Sequence, residues 1–193
     1  MISFKEGEFI FLKEPLLTLK GKITSVPYIK MTLNLLEQLG IETSFISNKI
    51  TVKPNPKNKK PKTFVVESDW SSASYFYSIA ALSDLGTQVT LSSYKKNSLQ
   101  GDAVLSAIYN QFGVETTFNE TTITLTKKSN KTDNFEYNLS NAPDIAQTIV
   151  VTCLGLGVGC HLTGLHTLKI KETDRLVALK TEIEKFGTQV DIT

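Results

Sequence analysis

Cysteine is scarce in this chain: Cys153 and Cys160 are the only two among 193 residues, and both have apolar neighbours in the sequence. Two such thiols do not make a disulfide framework and fit a reducing compartment. No apolar run approaches the roughly 20 residues of a membrane-spanning helix, and no signal peptide precedes the apolar, strand-like run at residues 1–12. An excess of one charge is also missing. The formal net charge of +2 gives no electrostatic footprint for nucleic acid or a membrane surface. The Lys-, Pro- and Asn-rich stretch 53–62 has no interleaved aromatics and reads as a solvated loop, as does 127–134. Cys160, His161 and His166 lack the spacing of a metal site and read as apolar packing with surface histidines. The run Gly155-Leu156-Gly157-Val158-Gly159 follows a helix and enters a strand, the reverse of the order a dinucleotide fingerprint requires. These absences leave a soluble cytoplasmic protein of one or two domains, long enough to bury a core.

What is present is a repeat. Three segments read helix, glycine, strand: 31–39 before Gly40, 103–112 before Gly113, and 176–186 before Gly187. The glycines stand 73 and 74 residues apart, each where a helix end needs a left-handed residue. Hairpins are expected behind the first two, pairing 41–46 with 49–53 and 114–118 with 121–126. Between these segments, 71–82 and 145–154 are helices apolar nearly all round, expected to be buried on several sides. Strands are expected on either side of them, at 63–67 and 135–139 before and at 87–92 and 158–163 after. One unit therefore reads βαβαββ, an α/β (α+β) fold of duplicated units that is incomplete at both ends of the chain. Such a pattern points to a piece of a larger protein.

The densest chemistry lies at Lys171-Glu172-Thr173-Asp174-Arg175, at the entrance to an amphipathic helix striped by Leu176, Leu179, Ile183 and Phe186. A helix start attracts anions through its free N–H groups and its dipole. Here two cations and an acid are added to that place, as a grip on phosphate or carboxylate with a proton donor beside it. The bland alternative is a solvated helix start with local ion pairs. Fifteen positions before the three glycines stand Ser25, Ser98 and Glu172, each in a polar loop that opens a helix, so the three loops are expected to converge on one anionic ligand. Asp69 and Asp144 stand at the starts of the two apolar helices. Each reads as an N-cap, or as a general base if it faces a cationic loop.

Five stretches occur in the order found in one enzyme family: Ser25-Val26-Pro27-Tyr28, Asp69-Trp70-Ser71-Ser72-Ala73-Ser74, Asn97-Ser98-Leu99-Gln100-Gly101-Asp102, Pro143-Asp144-Ile145-Ala146-Gln147, and Leu168-Lys169-Ile170-Lys171-Glu172-Thr173-Asp174-Arg175. Together they resemble 5-enolpyruvylshikimate-3-phosphate synthase, the 3-phosphoshikimate 1-carboxyvinyltransferase of the shikimate pathway. The resemblance implies the enolpyruvyl transferase fold, with residues 1–67 the last part of the first domain, 68–193 one full and one partial βαβαββ unit of the second, and a hinge near 67–69. It implies transfer of the enolpyruvyl group of phosphoenolpyruvate to the 5-hydroxyl of shikimate 3-phosphate, without metal or organic cofactor. It also implies a monomer that has no nucleic acid or membrane partner.

By the same resemblance Ser25, Tyr28, Thr167 and Lys171 contact shikimate 3-phosphate, although Thr167 stands where some members carry asparagine. Asp144 holds the 5-hydroxyl and accepts its proton, Glu172 protonates the enolpyruvyl methylene, and Arg175 binds phosphoenolpyruvate. The family's glycine-rich lysine segment, further arginines and Ser-Ser-Gln loop have no counterpart in the chain, which is therefore expected to be inactive alone. The sister UDP-N-acetylglucosamine enolpyruvyl transferase shares the fold but lacks the Lys-Glu-Thr-Asp-Arg pattern. A non-catalytic module of the same fold would not need the charged set intact.

Overall fold

The computed structural model describes residues 17–20 (backbone alone), 26–47, 49–54, 63–130 and 134–193. The chain divides into two compact units after Phe64. Ser25 and the strand-like run 1–12 lie outside the described residues, as does most of the basic loop 53–62.

The first unit carries β1 (Leu17–Lys20), α1 (Val26–Gln38), β2 (Thr43–Ile46) and β3 (Lys49–Val52). β3 is the central strand, antiparallel to both neighbours, and Ile46 faces Lys49 across the hairpin. Pro27 stands in the first turn of α1, where its missing N–H has no partner to lose. The helix closes at Gly40, whose φ of 75° lets the Ile41 and Gly40 amides return to the Leu36 and Glu37 carbonyls.

The second unit begins with α2 (Trp70–Leu82) and β4 (Gln88–Ser92). A short 3-10 turn (Gly101–Val104) leads into α3 (Leu105–Gln111), and the hairpin β5 (Val114–Asn119) and β6 (Thr122–Lys127) follows. β7 (Phe135–Asn138) and β8 (Cys160–Thr163) pair in parallel, joined by the crossover helix α4 (Ala146–Leu156). α5 (Arg175–Glu184) follows a 3-10 turn at His166–Ile170. β6 lies between β4 and β5, and Ile123 and Leu125 alternate inward from it into the core. There they meet Trp70 and Tyr77 of α2, Leu105, Ile108 and Tyr109 of α3, and Ile149 of α4, all fully buried. Full burial of side chains this large is worth about 1.5–3 kcal/mol each.

α2 and α4 approach through small and hydroxylated residues whose side chains bond one another. Ser74 Oγ lies 2.8 Å from Thr148 Oγ1, and Thr152 Oγ1 donates to Ser78 Oγ at 2.8 Å. Each pair is 74 residues apart, which is the repeat period itself. Equivalent positions of successive units thus face each other across the contact.

Several expectations fail for identifiable reasons. Residues 63–67 form no ladder with any described strand, and the main-chain bond from Ser68 N–H to the Ser93 carbonyl stands alone. Instead, the last of these residues is held by side-chain bonds within the second unit. Glu67 accepts bonds from Trp70 Nε1, the Lys95 amide and the Ser98 hydroxyl. The chain beyond Gly187 also forms no strand, because its Val190 amide and carbonyl are taken by Glu184 and Lys180. On α2, Tyr75, Phe76, Ile79 and Leu82 remain exposed, although the helix is apolar nearly all round. Lys127 is not part of a solvated loop. It is buried, and its ammonium donates to the Phe112 carbonyl at the end of α3, 3.0 Å away, where the helix dipole favours a cation.

Candidate active site

A cleft of about 310 Å³ opens in the second unit, lined by Asp69, Ser71, Ser72, Ser74, Tyr75, Asp144, Lys171 and Arg175. Two helix starts build it. Asp69 caps α2, its carboxylate accepting from the amides of Ser71 and Ser72 and from the Ser72 hydroxyl. Burial pushes the Asp69 carboxyl up, but these bonds outweigh it and hold it below the usual range. Asp174 caps α5 through the Leu176 and Val177 amides, which makes Arg175 the first helical residue and aims it back at the cleft.

Asp144 is not a cap. It lies in the 3-10 turn Pro143–Ile145, and the start of α4 has no side-chain cap bond. Its carboxylate instead crosses to the cationic loop. Asp144 Oδ1 is 3.0 Å from Lys171 Nζ and 3.1 Å from Arg175 Nη1. Glu172 grips the other side of Arg175 in a two-pronged pair, with Nε donating at 2.8 Å and Nη2 at 3.0 Å. The local ion-pair reading of this loop is therefore incomplete, since Asp144 stands about thirty residues away in sequence from both cations. The hydrogen bond from Arg175 holds the Glu172 carboxyl below its ordinary range, and the same bond raises the guanidinium.

Other expected site residues lie elsewhere. Tyr28 belongs to the first unit, on α1. Thr167 is buried in the turn before Lys171; its hydroxyl has no hydrogen-bond partner among the described residues, and it is not among those that line the cleft. Ser98 turns its hydroxyl to Glu67 and accepts from the Gln100 amide, so it braces the start of α2 and is not among the cleft residues. Of the two described loops expected to converge, the one after Ile170 brings Lys171 and Arg175 to this cleft; Ser25 of the third lies outside the described residues. The serines Ser71, Ser72 and Ser74 read in the sequence as part of a capped helix start, and the structure makes them one wall of the cleft.

Chemically the cleft sets two cations, Lys171 and Arg175, beside the Asp144 carboxylate and serine hydroxyls, a lining that can hold an anion. The family model for EPSP synthase (3-phosphoshikimate 1-carboxyvinyltransferase) matches residues 10–193. The 3-phosphoshikimate 1-carboxyvinyltransferase of Bacteroides fragilis is 45% identical over 172 residues, which cover 89% of this chain and 41% of that protein. The chloroplastic enzyme of Petunia hybrida is 33% identical over 178 residues, covering 88% of this chain and 34% of its own length. The chain thus spans about two fifths or less of these relatives. A solved EPSP synthase from Acinetobacter baumannii superposes with a TM-score of 0.64 at 20% identity, covering 86% of this chain and 38% of that one, and so shares its fold. With the family model matched from residue 10 to the last residue, the chain belongs to the EPSP synthase family.

Proposed function

We propose that the cleft is part of an active site that moves the enolpyruvyl group of phosphoenolpyruvate to the 5-hydroxyl of shikimate 3-phosphate and releases phosphate. The observation that carries this reading is the charged set of Asp144, Lys171 and Arg175 on one cleft, with Glu172 bonded to Arg175. Addition of the hydroxyl to the enol double bond forms a C–O bond at C2 and adds a proton at C3. Loss of phosphate and of a C3 proton then restores the methylene. A base must take the hydroxyl proton and an acid must serve C3, each typically worth about 10²–10⁴-fold in rate.

Asp144 is the proposed base and Lys171 the partner of shikimate 3-phosphate. Arg175 receives phosphoenolpyruvate. Glu172 is the proposed acid, but a carboxyl held low by Arg175 is a poor proton donor. A phosphoenolpyruvate anion that takes the guanidinium frees Glu172 and lets its pKa rise, so substrate binding itself arms the acid. For Ser25, Tyr28 and Thr167 the proposed contact with shikimate 3-phosphate rests on their motifs. The two units are proposed to belong to the two domains of the enolpyruvyl transferase fold. The setting is proposed to be the cytoplasm, with a monomer acting on two small anions and not on nucleic acid or membrane. Both cysteines are free thiols, in keeping with a reducing compartment.

The 193 residues alone are expected to give no turnover in a phosphate-release assay with both substrates at millimolar concentration. Closure of a two-domain site completes the catalytic set, and this chain spans about two fifths of its Bacteroides fragilis relative. In the whole enzyme, Arg175→Ala should raise KM for phosphoenolpyruvate about 10- to 100-fold, as expected for a lost charge-assisted bond. An unchanged KM would remove Arg175 from the substrate site.

A further inference from the structure

Behind the serine wall of the cleft stands a carboxyl group that the reading above leaves unused. Asp102 lies in the 3-10 turn before α3 and is only 3% exposed. Its Oδ2 is hydrogen-bonded to Ser71 Oγ, and Ser71 lines the cleft. Its Oδ1 is buried and has no hydrogen-bond partner among the described residues. A buried carboxylate with one oxygen unpaired is an expensive arrangement, whereas the protonated acid asks for less. The charges facing it are Asp144 and Asp69, which disfavour a third negative charge, and Lys171, which opposes them. Burial is the largest influence and pushes the Asp102 carboxyl up.

We propose that Asp102 is a positioning residue which, by carrying a proton toward Ser71 Oγ, turns the Ser71 O–H into the cleft as a donor to a bound anion. The same heavy-atom contact serves either direction of donation, and only the proton decides which way the serine faces. With Asp102 ionised, Ser71 spends its proton on the carboxylate and presents lone pairs to the cleft, which repel an anion. With Asp102 protonated, the wall offers a donor beside Lys171 and Arg175. This inference rests on the anion-site reading of the cleft.

The test is sulfate binding to the 193-residue chain, followed by calorimetry between pH 4 and 7.5, because sulfate itself does not titrate there. In the unaltered chain affinity should fall as pH rises, through the combined titration of Asp102 and the acids that line the site. Asp102→Asn keeps a neutral donor beside Ser71. It should match the low-pH affinity and lose the Asp102 part of the pH dependence, with its thermal midpoint unchanged. Ser71→Ala should bind sulfate several-fold more weakly at low pH while folding normally. An Asp102→Asn profile that overlays the unaltered one, or full affinity in Ser71→Ala, overturns the inference and leaves the anion site standing. No sulfate binding by the unaltered chain at any pH overturns the anion-site reading and this inference together.

Discussion

Arg175 holds Asp144 with one nitrogen and Glu172 with two others, so the strongest cation of the cleft is already engaged before any ligand arrives. The consequence appears in the titration of Glu172. Its folded pKa is lowered, so the stabilisation from this pair is fully present above the unfolded value and is lost as pH falls through the folded one. Replacing Arg175 by Gln should return the Glu172 carboxyl upward toward its ordinary range, read by carbon NMR of the side-chain carboxyl. A titration curve that does not move would separate the two residues and leave Glu172 without its proposed arming step. At this scale the sequence was legible in part. The charged loop and Asp144 stood out by type and by position at helix starts. Their direct contact did not, because it depends on where a turn far off in the chain is brought. Lys127 was misread for the same reason: a lysine in a basic loop looks solvated until the end of α3 is laid over it.

At the scale of elements, the three glycines announced their helices before any coordinates did, and Gly40, Gly113 and Gly187 all take the left-handed conformation, with φ of 75°, 77° and 82°. Their surroundings separate them. A Cβ on Gly113 would stand 1.9 Å from the Ser129 carbonyl oxygen, while nothing lies within 4 Å of one on Gly187. Gly187→Ala should therefore cost only the left-handed penalty, roughly 1–2 kcal/mol. Gly113→Ala should cost clearly more, since the backbone of the β6 exit must shift as well. Urea unfolding of both variants checks this, and equal losses would contradict it. The strand expected at 63–67 is not formed. Alternation marks a segment able to join a sheet, and only a neighbour in register makes it a strand.

For the molecule as a whole, the period found in the glycines returns as contact, Ser74 with Thr148 and Ser78 with Thr152. With its one proton given to Ser78, Thr152 Oγ1 accepts from Tyr109 Oη at 2.8 Å, so three elements meet on one buried hydroxyl. Thr152→Val keeps the shape and strands the Ser78 and Tyr109 hydroxyls, a loss of about 1–3 kcal/mol by denaturant unfolding. A neutral result would mean that the two hydroxyls find other partners. Sequence periodicity could not tell which sides of α2 are covered, because an apolar helix reads alike whether its neighbours are present or not.

Asp144 is the proposed acceptor of the hydroxyl proton. The direct measurement is steady-state phosphate release by the whole enzyme carrying Asp144→Asn, with both substrates saturating and the fold checked by circular dichroism. Asparagine keeps the shape and hydrogen bonding of the side chain but cannot accept the proton. kcat should fall by about 10²–10⁴-fold. Turnover within a few-fold of the unaltered enzyme, from a protein folded as before, would contradict it.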